Sequence, residues 1–331
     1  MDMKQRIVYI DQLKGLAILL VVMGHVCSKS FMIDNTEFNY FYSSFHMPLF
    51  MFLSGLFAYK GLIHWNMAEA CVFLKKKTLR IIVPFVIWGG CLSLATHGRL
   101  TDIYIGTNAS LWFLPALFYS MIWGFIANKL AFSIKVNSPL LADVIVNILL
   151  YILLLIGYRY GILHKIPFAL SFIKLYPFFI IGAWMSRYSW VKKLIIESDL
   201  TYFISIIAFI ICWIYRDTLP QQVRLTGMFA IVILMNFFKS IEQDIPHAFT
   251  VAGKYSLEIY LFHWFLLPSL DIVSNWYYGN VHLNIDISYG FLLLAVSSFI
   301  VAVPIITLSI LFAKIIQQNK YMRLVGFGNL K

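Results

Sequence analysis

The chain has 331 residues, of which 61% are apolar and only 12% charged. A soluble domain carries roughly 25% charged residues; half that share leaves too little polar surface to face water, so the composition excludes a soluble globular protein. The formal charge of +11 does not point to nucleic acid, because Lys and Arg stand in short clusters between apolar runs, a placement that carries topology.

A span needs about 20 mostly apolar residues. Ten segments qualify, at roughly 10–28, 43–60, 79–97, 110–128, 140–157, 168–186, 200–215, 222–239, 255–273 and 288–313. The apolar runs reach the end of the chain, so the expected fold is one all-α polytopic membrane domain over residues 1–331, with no large soluble domain. No small-residue cleavage site follows the first run, which reads as a retained span and not a signal peptide. With the N-terminus in the cytoplasm, eighteen cations collect on that side and seven on the other. This bias fits an even number of spans and both termini cytoplasmic. Cys27, Cys71, Cys91 and Cys212 show no metal or redox spacing and read as buried, reduced residues.

The first span, YIDQLKGLAILLVVMGHV from Tyr9 to Val26, carries ionisable residues in a greasy run. Lys14 and His25 are eleven residues apart, about 20° past three full turns, so they share one helix face. Asp11 falls about 40° to the other side of that stripe; a salt bridge with Lys14 at i, i+3 is expected. The axial distance from Lys14 to His25 is about 16 Å, which sets His25 near the middle of a hydrocarbon core about 30 Å thick. A plain reading makes His25 hydrogen-bonding glue between helices. The reactive reading is stronger, because mid-membrane ionisable groups are costly and line substrate paths, and a neutral imidazole can take up and hand on a proton near neutral pH.

Four further stretches join this span in chain order: FHMPLFMFLSGLF (Phe45 to Phe57), KKKTLRIIVP (Lys75 to Pro84), LWFLPALF (Leu111 to Phe118) and GKYSLEIYLFHWF (Gly253 to Phe265). With the Lys14–His25 pair, this ordered set resembles the acyltransferase-3 family of integral membrane acyltransferases, in its stand-alone form. The family's first helix more commonly carries Arg where Lys14 stands; Lys supplies a point charge in place of a planar fork.

The resemblance implies transfer of an acyl group, most often acetyl, from cytoplasmic acyl-coenzyme A to a hydroxyl. The implied acceptor is a cell-surface glycan or its lipid-linked precursor, in the inner membrane of a bacterium, with acetyl-coenzyme A as co-substrate and no metal. Lys76, Lys77 and Arg80, with Lys75 and Lys14, would hold the phosphates of coenzyme A; the same lysines also satisfy the positive-inside rule. The 16 Å from Lys14 to His25 is about the reach of an extended pantetheine arm. His25 would then act as general base or as acyl carrier. In the ninth span Ser256, Tyr260 and His263 fall within about 60° of one another, and His263 lies about 13 Å into the helix from Lys254, at a depth like that of His25. The two stripes are expected to face each other, with Tyr260 or His263 stabilising an oxyanion or orienting His25, or serving as interhelical hydrogen bonding. His46 would meet an acceptor entering from outside. Trp112 belongs to an aromatic belt or stacks on a sugar. A different class, a transporter or flippase using the same His/Lys stripe, predicts paired broken helices in corresponding halves, which the sequence does not show. His64, His97, His164, His247 and His282 fall in loops or at span ends and carry no role.

Overall fold

The structure, a computed structural model, describes residues 7–58, 67–96, 99–100, 110–134, 138–216, 222–241, 246–281 and 287–328. Lys4, Arg6, Lys60, Lys135 and Lys331, expected on the cytoplasmic side, and His64, His97 and His282 lie outside these residues. Among the described residues every regular element is helical. In chain order they are α1 (Val8–His25), α2 (Glu37–Ser43), α3 (His46–Ala58), α4 (Met67–Lys77), α5 (Val83–Thr96), α6 (Phe113–Ser133), α7 (Pro139–Arg159), α8 (Ala169–Arg187), α9 (Ser189–Ile196), α10 (Asp199–Ile214), α11 (Gln222–Ser240), α12 (His247–Lys254), α13 (Ser256–Phe262), α14 (Asp271–Trp276), α15 (Ile287–Gln318) and α16 (Lys320–Phe327).

The chain is an all-α polytopic membrane protein. Among the described residues, seven stretches are long and apolar enough to cross a bilayer, and up to nine if each of two bent helix pairs counts as one span. The predicted eighth segment coincides with a shorter apolar helix, Leu225–Ser240. The predicted seventh segment coincides with one helix, α10, which follows α9 after a break of two residues. Ser198 caps the new start by accepting a hydrogen bond from the Thr201 N–H at 3.2 Å. At the break the ending carbonyls of α9 are taken up by α11, where Asn236 Nδ2 donates to the Ile195 carbonyl at 2.7 Å and Lys239 Nζ to that of Ile196 at 3.3 Å.

The chain forms two compact units. One comprises Met1–Phe50 with Ile195–Ile315, the other Met51–Leu194 with Ile316–Lys331. In the first, α1 is hydrophobic all round and correspondingly buried; Leu13, Ala17, Ile18 and Val22 have no exposed surface. It packs along α12, which lies between the eighth and ninth predicted segments. Glycine makes that contact possible. A Cβ at Gly15 would stand 2.1 Å from the Phe249 carbonyl oxygen, and one at Gly253 1.7 Å from that of Asp11. Backbone cannot step aside as a side chain can, so Gly253→Val is expected to destabilise the protein by about 1–3 kcal/mol. Thermal unfolding in detergent reads this, with Gly279→Val as control because a Cβ at Gly279 meets nothing within 4 Å.

In the second unit α3 and α8 cross by the same device. A Cβ at Gly55 would lie 1.9 Å from the Phe179 carbonyl oxygen and one at Gly182 2.1 Å from that of Phe52. Helices α6, α7 and α8 pack on one another around a buried polar network. Asp143 of α7 pairs with Arg187 at the end of α8 and accepts from Tyr188 Oη at 2.9 Å. Asn147 Nδ2 donates to Asp143 Oδ1 at 2.9 Å, and Tyr176 Oη donates to Asn147 Oδ1 at 2.6 Å. Burial and the Asp143 charge push the Tyr188 phenol up to about 12, so it stays a donor across the physiological range. Cys27 and Cys212 are buried and reduced as expected, but Cys71 and Cys91 are exposed on their helix surfaces.

Candidate active site

His25 is the last residue of α1, and a wide π turn, Val26–Ser30, follows it directly. Such turns insert an extra residue per hydrogen-bonded ring and recur at functional sites. Beneath the histidine, Gly24 leaves room for Tyr42: a Cβ there would stand 2.5 Å from the Tyr42 ring, whose hydroxyl donates to the Gly24 carbonyl at 3.4 Å. The Tyr42 backbone carbonyl in turn accepts from His46 Nδ1 at 2.6 Å, and the two rings lie 5.5 Å apart.

The ninth predicted segment meets His25, but not as the single helix expected. α13 ends at Phe262, His263–Leu266 form a 3₁₀ turn, and the chain resumes helix at Asp271 after a bend of 79°. Pro268 supplies the reason. Its ring disfavours helical backbone at the residue before it, and Leu267 is extended at φ −69°, ψ 115°. The Leu270 N–H then donates to the Ser30 carbonyl at 2.9 Å, fastening the break to the π turn after His25.

This arrangement brings His25 and His263 together, stacked with ring centroids 5.2 Å apart and planes at 23°. Trp264 lies closer still, 4.5 Å from His25 and 5.7 Å from His263. Tyr260 stands 5.9 Å from His263. His263 is fully buried while His25 is half-buried, so His25 is the ring of the pair that a substrate can reach. Neither stacked ring hydrogen-bonds the other. His263 Nδ1 lies 3.0 Å from the Ile259 carbonyl oxygen. A carbonyl only accepts, so Nδ1 carries the proton and Nε2 of the neutral ring presents a lone pair. That Nε2 is buried and has no hydrogen-bond partner among the described residues.

Lys14 Nζ lies 3.7 Å from Asp11 Oδ1, as the i, i+3 spacing predicts, with the carboxylate buried and the ammonium about a quarter exposed. Ser256 is half-buried at the first position of α13, one turn before Tyr260. Lys14, His25, His46, Ser256, Tyr260 and His263 all belong to the first unit.

The remaining expected site residues belong to the second unit. Lys76 and Arg80 are exposed; Lys77 is half-buried, its Nζ 5.3 Å from the centroid of the Phe73 ring. Arg80 sits within a second π turn, Thr78–Ile82. The α-helical i, i+4 register assumed between Lys76 and Arg80 is therefore interrupted, because a π turn advances less per residue than an α turn. The end of α16 braces this turn: Trp88 Nε1 donates to the Gly326 carbonyl at 2.8 Å, and Gly328, at φ +60°, packs so closely that a Cβ would meet the Leu79 carbonyl oxygen at 1.8 Å. Trp112 precedes α6, half-buried and edge-on to Phe113 at 6.2 Å.

Two residues at the His25 site escaped the sequence reading. Trp264 had a signal, since it follows His263 in a stretch already singled out; Tyr42 had none. Among the described residues no group of three or more His, Cys, Asp or Glu could hold a metal ion. Over residues 7–312 the chain matches a family profile described as an acyltransferase domain. No curated protein and no solved structure shows a significant match.

Proposed function

The chain belongs to the acyltransferase-3 family of integral membrane acyltransferases, and from that premise we propose that it moves an acetyl group from cytoplasmic acetyl-coenzyme A to a hydroxyl of a cell-surface glycan or its lipid-linked precursor. The proposed setting is the inner membrane of a bacterium, with ten spans and both termini in the cytoplasm. The observation that carries the reading is the pairing of a half-buried His25 with a buried His263 at the break after α13. An imidazole held in an apolar, packed site with no hydrogen bond to its ring among the described residues is free to exchange protons with a substrate.

In this reading Arg80, Lys76, Lys77 and Lys14 hold the phosphates of coenzyme A. His25 removes the proton from the acceptor hydroxyl as its oxygen attacks the thioester carbonyl, and returns a proton to the departing thiolate. If His25 instead attacks first, it carries the acetyl group as an acyl-imidazole before passing it on. His263, stacked on His25 and too buried to meet the substrate, orients His25, and Tyr260 stands beside His263. His46, Trp112 and Ser256 are assigned to the acceptor.

Membranes containing the protein, incubated with acetyl-coenzyme A labelled in its acetyl group, test this. Ester-bound label released by mild alkali, together with free coenzyme A thiol, is expected. Solute flux without ester formation would favour a transporter instead. Coenzyme A binding should weaken about tenfold or more in Arg80→Ala, since one charge-assisted phosphate contact contributes at least about 1.4 kcal/mol; titration of the purified protein measures it.

A further inference from the structure

The reaction proposed above needs a hydrogen-bond donor for the thioester carbonyl oxygen, which becomes an oxyanion when the hydroxyl adds to it. We propose that the indole N–H of Trp264 is that donor. This rests on the acyltransferase reading and adds a catalytic residue to it.

Two observations point to the indole. Its ring is the nearer of the two aromatic neighbours of His25, at 4.5 Å between centroids, so a carbonyl whose carbon reacts beside the imidazole lies within reach of a group on that ring. Trp264 Nε1 is buried and has no hydrogen-bond partner among the described residues. An indole nitrogen is a donor only, and a buried donor left open is a cost that a fold retains where a ligand completes it.

Three other polar groups around His25 already use their protons. His263 donates its Nδ1 proton to the Ile259 carbonyl, which leaves Nε2 as a lone pair that repels an oxyanion. His46 donates its Nδ1 proton to the Tyr42 carbonyl, and the Tyr42 hydroxyl donates to Gly24. The Trp264 N–H is thus an open donor for the oxygen that gains charge. In a packed apolar site such a donor acts far more strongly than in water.

The acceptor oxygen forms a bond to the thioester carbon while its proton passes to His25. The carbonyl π electrons move onto oxygen, where the Trp264 N–H receives them. Collapse restores C=O and breaks the C–S bond, and the thiolate takes the proton back from His25, leaving ester and free thiol.

The test is steady-state thiol release from acetyl-coenzyme A in acceptor-containing native membranes, comparing wild type with Trp264→Phe and Trp264→His. The Phe variant keeps an aromatic ring against His25 but lacks the N–H. It is expected to lose about a hundredfold in kcat with KM for acetyl-coenzyme A changed less than about threefold, as for loss of one oxyanion donor. Trp264→His, which returns a ring N–H, is expected to recover about tenfold of that loss. A Phe variant with wild-type kcat overturns the proposal, and so does a loss confined to KM, because either shows that the indole supplies packing alone. If the Phe variant does not fold, Trp264→Leu against Trp264→His takes its place with the same expected gap. No thiol release by wild type would sink the acyltransferase reading and this assignment together; an active wild type matched by Trp264→Phe would sink this assignment only.

Discussion

Replacing His25 with alanine is expected to lower acyl transfer by about 10²–10⁴-fold while leaving coenzyme A binding unchanged. The size of the effect follows from position. His25 is the one member of the stacked pair with exposed surface, and it closes α1 just before the chain widens into a π turn. His263, fully buried behind it, cannot meet a substrate without displacing the packing around α13. Donor binding survives because the phosphates of coenzyme A are assigned to Arg80 and its neighbours and not to the imidazole. A kinetic comparison of purified wild type and His25→Ala, with binding measured on the same samples, checks both halves. Loss of binding in step with activity would mean that His25 is a structural residue. Acid quench during turnover divides the two chemical routes: an acetyl adduct on His25 identifies a carrier, and its absence under saturating donor identifies a base.

The largest effect on stability is expected in the second unit, at Asp143. Its carboxylate is almost fully buried and meets Arg187, Tyr188 and Asn147, with Tyr176 holding Asn147 from the far side. Asp143→Ala removes the counter-charge of a guanidinium that is itself buried and so is expected to cost about 3–5 kcal/mol. Removing both charges, in Asp143→Asn with Arg187→Leu, should cost less than either single change, because an unpaired buried ion is worse than none. Chemical unfolding in detergent micelles measures Asp143→Ala, the two single changes and the double. A loss under about 1 kcal/mol for Asp143→Ala would show that water or lipid headgroups already reach the pair.

The sequence carried the helical content and the first-span stripe, because both are matters of local periodicity. Lys14, Asp11 and His25 lie on one helix, and 3.6 residues per turn is enough to align them. Depth bookkeeping from the basic residues at each span's start also anticipated that His25 and His263 would meet. Breaks and insertions were less legible. The π turns at Val26–Ser30 and Thr78–Ile82 leave no composition signature, since they reflect backbone register and not residue type. The bend after Leu266 had a signal in Pro268, but a proline within an apolar run also occurs as a simple kink, as with Pro177 and Pro304 inside α8 and α15. The Asp143–Arg187 pair joins residues 44 positions apart, so only tertiary packing reveals that Arg187 belongs inside a network and not merely to a cytoplasmic loop. Likewise the crossing at Gly15 and Gly253 needs both helices in place before either glycine acquires a reason.

In the proposed reaction the cationic turn around Arg80 receives coenzyme A and His25 acts on its thioester. Titration of purified protein with coenzyme A and acetyl-coenzyme A, for wild type, Arg80→Ala and His25→Ala, tests it most directly. Saturable binding that weakens in Arg80→Ala and persists in His25→Ala is the predicted result. A folded, monodisperse wild type that binds neither compound would contradict the account.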